Sequence, residues 1–126
     1  DSHYYIMQGI NTNSLNNFSL LLKKINSVVF PISKITVDSY GDVTFYDEQG
    51  ISKIMFREET NLDKVWSNIL SAIDTDPLKS RLEKEKDDLE YLDARFGNKV
   101  FYKFTNNLRT AIIENHATTT ATTTIQ

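Results

Sequence analysis

Cysteine is absent from the chain, which excludes disulfide bonds and zinc sites built on thiolates. Only two prolines and four glycines occur among the 126 residues, so collagen-like and proline-rich disordered classes are excluded as well. The longest apolar run, residues 28–32, is too short to cross a bilayer, and the first residues lack the pattern of a signal peptide. Any membrane anchor is therefore expected to lie outside this sequence.

What is present is the composition of a single globular domain. Hydrophobic residues make up 40% of the chain and charged residues 25%, which supports one core at this length. Fourteen basic residues face seventeen acidic ones, giving a net charge of −3. A chain without a basic excess has no general field for a polyanion, so we expect no nucleic-acid partner.

Helical periodicity marks three segments of the chain. Apolar residues at helical spacing predict a first helix from about Ser14 to Asn26, and a strongly amphipathic second helix that begins after Asn61. Asp76 followed by Pro77 predicts the start of a third helix, which is short, charged and mostly solvated.

Strand patterns occupy most of the remaining chain. A short strand is predicted at residues 4–7, and residues 35–56 predict a three-stranded meander. A three-residue loop near Gly41 would place the apolar residues of its first two strands on one face. These residues are Ile35, Val37, Val43 and Phe45. Gly97-Asn98 then predicts a two-residue turn in a final hairpin over residues 89–104.

The order of these elements predicts an α+β fold. We expect a mainly antiparallel sheet of about five or more strands, with two to three helices packed on it. Residues 1–104 are assigned to this domain, and residues 105–126 to a C-terminal arm and a disordered threonine-rich tail. Residues 105–115 could form either a weak helix or an extended arm.

The sequence shows no constellation of catalytic or metal-binding side chains. His3 and His116 lie near opposite termini, and neither has a second ligand at metal spacing. No nucleophile elbow and no glycine-rich phosphate loop occur. We therefore expect no catalytic, cofactor-binding or metal-binding residues, no cofactor and no small-molecule substrate.

The final hairpin is unusual because both of its faces are partly apolar. A regular ladder from the Gly97-Asn98 turn predicts that one face carries Leu92, Ala94, Phe96 and Phe101. The opposite face then carries Tyr91, Asp93, Arg95, Val100, Tyr102 and Phe104. Two interpretations remain open: other elements cover this second face while Asp93 and Arg95 pair locally, or residues 99–104 are a sheet edge that receives a strand from a partner.

The hairpin sequence LEYLDARFGNKVFYKF, residues 89–104, resembles the closing "Y-I-D-L-R-F/Y … V-Y" hairpin of the FtsQ/DivIB family of bacterial cell-division proteins. The order of elements before it is similar too: a start at Gly9-Ile10, a helix, a meander and a second long helix. The sequence departs from the family pattern at Ala94, where a larger apolar residue is usual.

The resemblance implies a non-enzymatic divisome scaffold that helps to organise septal cell-wall synthesis. Its β-domain would be extracytoplasmic, attached to the cell membrane by a single upstream helix and preceded by a POTRA domain. The implied partners are FtsB/DivIC-like and FtsL-like divisome proteins, the former adding a strand at the terminal hairpin. The implied partner-binding residues are Phe96, Lys99, Val100, Phe101, Tyr102, Lys103 and Phe104. The implied structural residues of the motif are Asp93, Arg95, Gly97 and Asn98.

Two other functions compete with this interpretation. Another envelope module, for secretion or assembly, could have a similar build, and it would be favoured if the gene encoded no upstream POTRA domain and membrane helix. A small enzyme would require a pocket where carboxylates converge with Tyr46, Tyr91 or Tyr102.

Overall fold

The computed structural model describes residues 6–8, 12–58, 61–105, 110–115 and 121–125. The Gly9-Ile10 start, both histidines and the first half of the predicted strand at residues 4–7 lie outside these ranges. Three α-helices occur within them: α1 (Thr12–Val28), α2 (Leu62–Ile73) and α3 (Leu78–Glu85), the last followed by a 3₁₀ turn at Lys86–Asp88.

The three predicted helices are confirmed, with small changes at their ends. Asn61 caps α2, because its side-chain oxygen accepts hydrogen bonds from the backbone N–H groups of Asp63 and Lys64. Helix α3 begins at Leu78, one residue later than the proline rule predicts. Asp76 nevertheless accepts from the backbone N–H and hydroxyl of Ser80, and these bonds lower the pKa of its carboxyl group.

Within the described residues, eight strands form one sheet in which every strand pairs with its neighbours in sequence. They are β1 (Ile6–Gln8), β2 (Ile32–Val37), β3 (Asp42–Asp47), β4 (Lys53–Arg57), β5 (Leu89–Phe96), β6 (Lys99–Phe104), β7 (Ala111–Asn115) and β8 (Ala121–Ile125). The β1–β2 and β4–β5 pairs are parallel because helices connect them, and the other pairs are antiparallel. The predicted α+β fold with a mainly antiparallel sheet is confirmed.

The predicted meander of β2, β3 and β4 is also confirmed. The backbone N–H of Asp38 donates to the carbonyl of Asp42, which leaves three residues in the loop between them. Val37 consequently pairs with Val43, and Ile35 with Phe45, so that all four side chains lie on one face.

A single core lies between that face of the sheet and the helices. Phe18 of α1 packs edge-to-face against Phe45 and Phe56 of the meander, with ring centroids 6.2 and 5.6 Å away. Helix α2 contributes buried Val65 and Ile69 to the same core. The buried apolar side chains of all three helices belong to this core, and within the described ranges none is buried against the opposite face of the sheet.

The C-terminal arm is part of the sheet, which corrects the predicted boundary at residue 104. Ala111 and Ile113 are buried in the core, and this apolar side stabilises β7 beside β6. The extended alternative for residues 105–115 is thus the correct one for β7. Residues 121–125, which the sequence assigns to a disordered tail, pair as strand β8 with β7.

None of the helices in the described ranges combines the length and apolar character needed to cross a membrane.

Candidate partner-binding face

The terminal hairpin departs from the predicted register because β5 contains extra residues. Phe96 pairs with Lys99 across the two-residue turn, as predicted. Asp93, however, pairs with Phe101 and not with Tyr102, since two residues of β5 oppose the single residue Val100. Such a bulge shifts the ladder by one position and exchanges the two faces of the partner strand.

The predicted faces of β6 are therefore wrong. Val100, Tyr102 and Phe104 point into the core and are buried, at 1% exposure or less. Lys99, Phe101 and Lys103 lie on the opposite face, which we call the open face because no described helix packs on it. A strand's side chains alternate, so the one-residue shift decides which three of these residues are accessible to a partner.

Strand β6 is also not an edge, contrary to the interpretation that a partner strand adds to it. Its two neighbours are β5 and β7, and four residue pairs join it to β7. Backbone donors and acceptors along residues 99–102 are thus engaged on both sides. Strand addition at β6 would require the loss of β7.

The turn of the hairpin is held from below by α2. Gly97 has φ +64°, a conformation that glycine adopts without steric cost. The side-chain amide of Asn68, a buried residue, donates a hydrogen bond of 2.9 Å to the Gly97 carbonyl. This contact fixes the turn relative to the core, so the residues beside it keep a defined position.

An ion-pair cluster supports the open face where β3, β4 and β5 meet. Arg95 donates from Nε and Nη2 to the two carboxylate oxygens of Asp93, at 2.8 and 2.7 Å, and from Nη1 to Asp42 at 3.0 Å. Arg57 lies 3.4 Å from the buried Oδ1 of Asp42, which accepts no hydrogen bond from the residues that the structure describes. The hydrogen bonds that Arg95 donates to Asp93 raise the pKa of the Arg95 guanidinium, against the effect of partial burial. The predicted local pair of Asp93 and Arg95 is confirmed.

A groove of about 570 Å³ lies beside this cluster on the open face. Its lining comprises Tyr91, Asp93, Phe96, Lys99, Phe101, Thr110 and Ile112. The rings of Phe96 and Phe101 meet edge-to-face with centroids 5.5 Å apart, and the Arg95 guanidinium stands 5.3 Å from the Phe96 ring. Phe96 is 46% exposed, whereas the Phe101 ring beside it is half-buried.

The groove brings together three of the predicted partner-binding residues, Phe96, Lys99 and Phe101. Lys103 lies on the same face, where its ammonium group pairs with Glu90. The structure separates these four from the remaining predicted residues, which are buried in the core.

The groove also meets, in part, the condition set for an enzyme, because Asp93 and Tyr91 both line it. Both groups are already engaged: Asp93 with Arg95, and the Tyr91 hydroxyl with the Thr110 hydroxyl at 2.5 Å. Within the described ranges, no three histidine or acidic side chains gather as a metal site would need. The arrangement is suited to binding an apolar side chain between fixed polar groups.

Tyr102 offers a test of the corrected register, because burial raises the pKa of its hydroxyl. The folded chain then holds this proton at a pH where the unfolded chain, with a tyrosine pKa near 10, has lost it. The contribution to stability is present below about pH 10 and declines as the pH rises further. We expect Tyr102→Phe to reduce this alkaline loss, as measured by urea unfolding at neutral and alkaline pH.

Tyr40→Phe is the matched control, since Tyr40 is 82% exposed in the β2–β3 loop. The free energy of unfolding that this variant loses between neutral and alkaline pH should equal the loss in the unmodified chain. An equal loss in Tyr102→Phe as well would contradict the burial of Tyr102.

Sequence reasoning missed several residues of this face. Thr110 and Ile112 lie in the segment 105–115, for which the sequence leaves a weak helix and an extended arm open. The Ala111-Ile112-Ile113 run is also compatible with a strand that has apolar residues on both faces. No sequence signal links Asp42 to Arg95, because 53 residues separate the two along the chain.

Comparison with known families found none that matches this chain. The search of curated proteins likewise found no match. A function is therefore proposed from the geometry of the open face.

Proposed function

We propose that this domain is a non-enzymatic scaffold that binds another protein through the groove of the terminal hairpin, as an FtsQ/DivIB-type divisome domain would. The single observation that carries the proposal is the contact between the exposed Phe96 ring and the half-buried Phe101 ring in a groove on the open face. Apolar grooves with polar rims are typical of protein-binding sites. The proposed location is the outer side of a bacterial cell membrane, with attachment through an upstream segment.

The proposed partner is an extracytoplasmic segment of an FtsB/DivIC-like protein, accompanied by an FtsL-like protein. Because β6 is paired on both sides, we propose docking by side chains into the groove in place of strand addition at β6. An apolar anchor of the partner would lie between Phe101 and Ile112, and its polar groups would face Lys99.

The ion-pair cluster supports this role by fixing the groove before the partner arrives. Arg95 is held by two carboxylates and in turn contacts the Phe96 ring, so this exposed ring has a supported position. A site that is already ordered loses less conformational entropy on binding.

Substitution of the two rings of the groove tests the proposal. We expect Phe96→Ala and Phe101→Ala each to weaken binding of the FtsB/DivIC-like segment by about 2 kcal/mol, roughly thirtyfold, because both remove anchor contacts. Isothermal titration calorimetry with the segment from the same organism measures the change.

Tyr40→Ala is the control, because it removes an equally large ring from an exposed loop outside the groove. Its affinity should match that of the unmodified chain. Unchanged binding by both phenylalanine variants, or no binding by the unmodified folded chain, would contradict the proposal and favour a different envelope partner.

A further inference from the structure

A second feature of the open face is a row of alternating lysine and tyrosine side chains. The strand registers place Lys34 opposite Tyr46, Tyr46 opposite Lys53, Lys53 opposite Tyr91, and Tyr91 opposite Lys103. The row therefore crosses five consecutive strands, β2 to β6. We call these five residues the lysine–tyrosine row.

The charge of this row is opposite to that of the whole chain. Of its three ammonium groups, that of Lys103 pairs with the carboxylate of Glu90, while the nearby carboxylates of Asp42 and Asp93 pair with Arg95. Neither Lys34 nor Lys53 has an ion-pair partner among the residues that the structure describes. A local concentration of cations on a chain with net charge −3 attracts a short anionic segment, while the remaining surface repels a long polyanion.

The tyrosines supply ring contacts between the charges. The Lys34 ammonium lies 5.2 Å from the centre of the Tyr46 ring, which keeps the stem of the lysine against the ring. Tyr91 is fixed by its hydrogen bond to Thr110 and also lines the groove, so the row and the groove are continuous. Half-buried rings beside basic groups suit an extended peptide that carries both apolar and acidic residues.

The spacing of the lysines selects the conformation of such a peptide. They occupy every second strand, and neighbouring strands are separated by about 4.7–4.9 Å, so successive lysines are about 9–10 Å apart across the sheet. A polyproline II segment rises about 3.1 Å per residue with three residues per turn, which gives about 9.3 Å between side chains on one side. A β-strand has no equivalent match, since its same-face residues are about 6.6–6.8 Å apart.

We propose that the lysine–tyrosine row binds an extended, polyproline II-like segment of a partner protein that carries a carboxylate at every third residue. The carboxylates pair with Lys34, Lys53 and Lys103, and proline or other apolar residues between them contact the two tyrosine rings. This binding surface adjoins the Phe96–Phe101 groove at Tyr91, and it does not depend on the identity of the partner proposed for that groove.

The test is titration of the intact chain with a synthetic peptide of five Glu-Pro-Pro repeats, followed by amide chemical shifts and calorimetry. We expect shifts at the strands of the row and weaker binding as salt rises from about 50 to 300 mM. A peptide of the same composition with its glutamates clustered at one end should bind at least about threefold more weakly, because it aligns with fewer lysines.

The double variant Lys34→Gln/Lys53→Gln should weaken binding of the repeat peptide by about tenfold, as expected for the loss of two exposed ion pairs that act together. Lys64→Gln/Lys84→Gln is the matched control, because it removes the same charge from exposed positions on helices α2 and α3.

Three results would overturn the proposal. Equal affinities for the spaced and clustered peptides would indicate general electrostatic attraction, without alignment of the peptide carboxylates with the lysines of the row. Equal weakening by the two double variants would show that the row is not the site. Tighter binding of a fifteen-residue oligothymidylate, or of a helical peptide with glutamate at every seventh residue, would assign the surface to a different ligand.

Discussion

Phe45→Ala is expected to lower the free energy of unfolding by about 3–5 kcal/mol, the range typical of a buried phenylalanine replaced by alanine. The Phe45 side chain is fully buried and lies edge-to-face with Phe18 and Phe56, so its removal leaves a cavity at the centre of the core. Urea unfolding followed by circular dichroism measures the loss.

Tyr46→Ala is the adjacent control for this prediction. Tyr46 follows Phe45 in β3 but points to the open face, where it is half-buried against Lys34. Its replacement should cost only about 1 kcal/mol, the scale of strand propensity and one ring contact. Similar losses for the two variants would show that both faces are covered, and the open face would not exist as described.

Arg95→Met is expected to lower the free energy of unfolding by about 2–3 kcal/mol. Removal of a partner from a buried ion pair leaves a charge without compensation, at a cost of about 3–5 kcal/mol when burial is complete. The cost is reduced here because the Arg95 side chain is 26% exposed. Two carboxylates, those of Asp93 and Asp42, lose hydrogen bonds in this variant.

A double-mutant cycle separates this electrostatic effect from packing. We expect Asp93→Asn combined with Arg95→Met to cost less than the sum of the single variants, with a coupling energy of about 1–2 kcal/mol. Lys79→Met is the control, because its ion pair with Asp74 is exposed at 3.9 Å and should contribute less than about 0.5 kcal/mol. Additive costs for Asp93 and Arg95 would contradict direct coupling.

The part of the fold that sequence alone could predict is the part determined by local patterns. The apolar repeat of α2, the loop between β2 and β3, and the glycine of the hairpin turn each depend on residues close together in the chain. Phe96 and Phe101, two of the predicted partner-binding residues, both line the groove on the open face, and their binding role stays a prediction. Whether a partner occupies that groove is the subject of the proposed experiments.

The features that sequence could not predict depend on contacts between distant segments. The extra residue at Ala94 and Arg95 has no local signal, because a bulge is defined only by the strand opposite. Because of this bulge, the faces of β6 are the reverse of those predicted, and the Tyr102 side chain lies in the core. The parallel pairing of β4 with β5 depends on how α2 and α3 pack. This pairing places Asp93 beside Met55, in the last strand of the meander.

Strand β7 is another element that the sequence does not distinguish from a helix. Its apolar residues are consecutive, so neither the helical nor the alternating pattern dominates in the sequence. In the sheet, Ala111 and Ile113 enter the core while Ile112 lines the groove. One short strand thus closes the edge of β6 and also supplies a wall of the proposed binding site.

Docking in the groove of the terminal hairpin is tested by titrating the unmodified chain with the FtsB/DivIC-like segment and following the amide chemical shifts. If the segment docks in the groove, the largest chemical-shift changes will lie around Phe96, Phe101 and Ile112, and the pairing of β6 with β7 will be retained. Changes confined to the helical side, or loss of the β6–β7 hydrogen bonds on binding, would contradict docking in the groove; the second result would restore strand addition at β6.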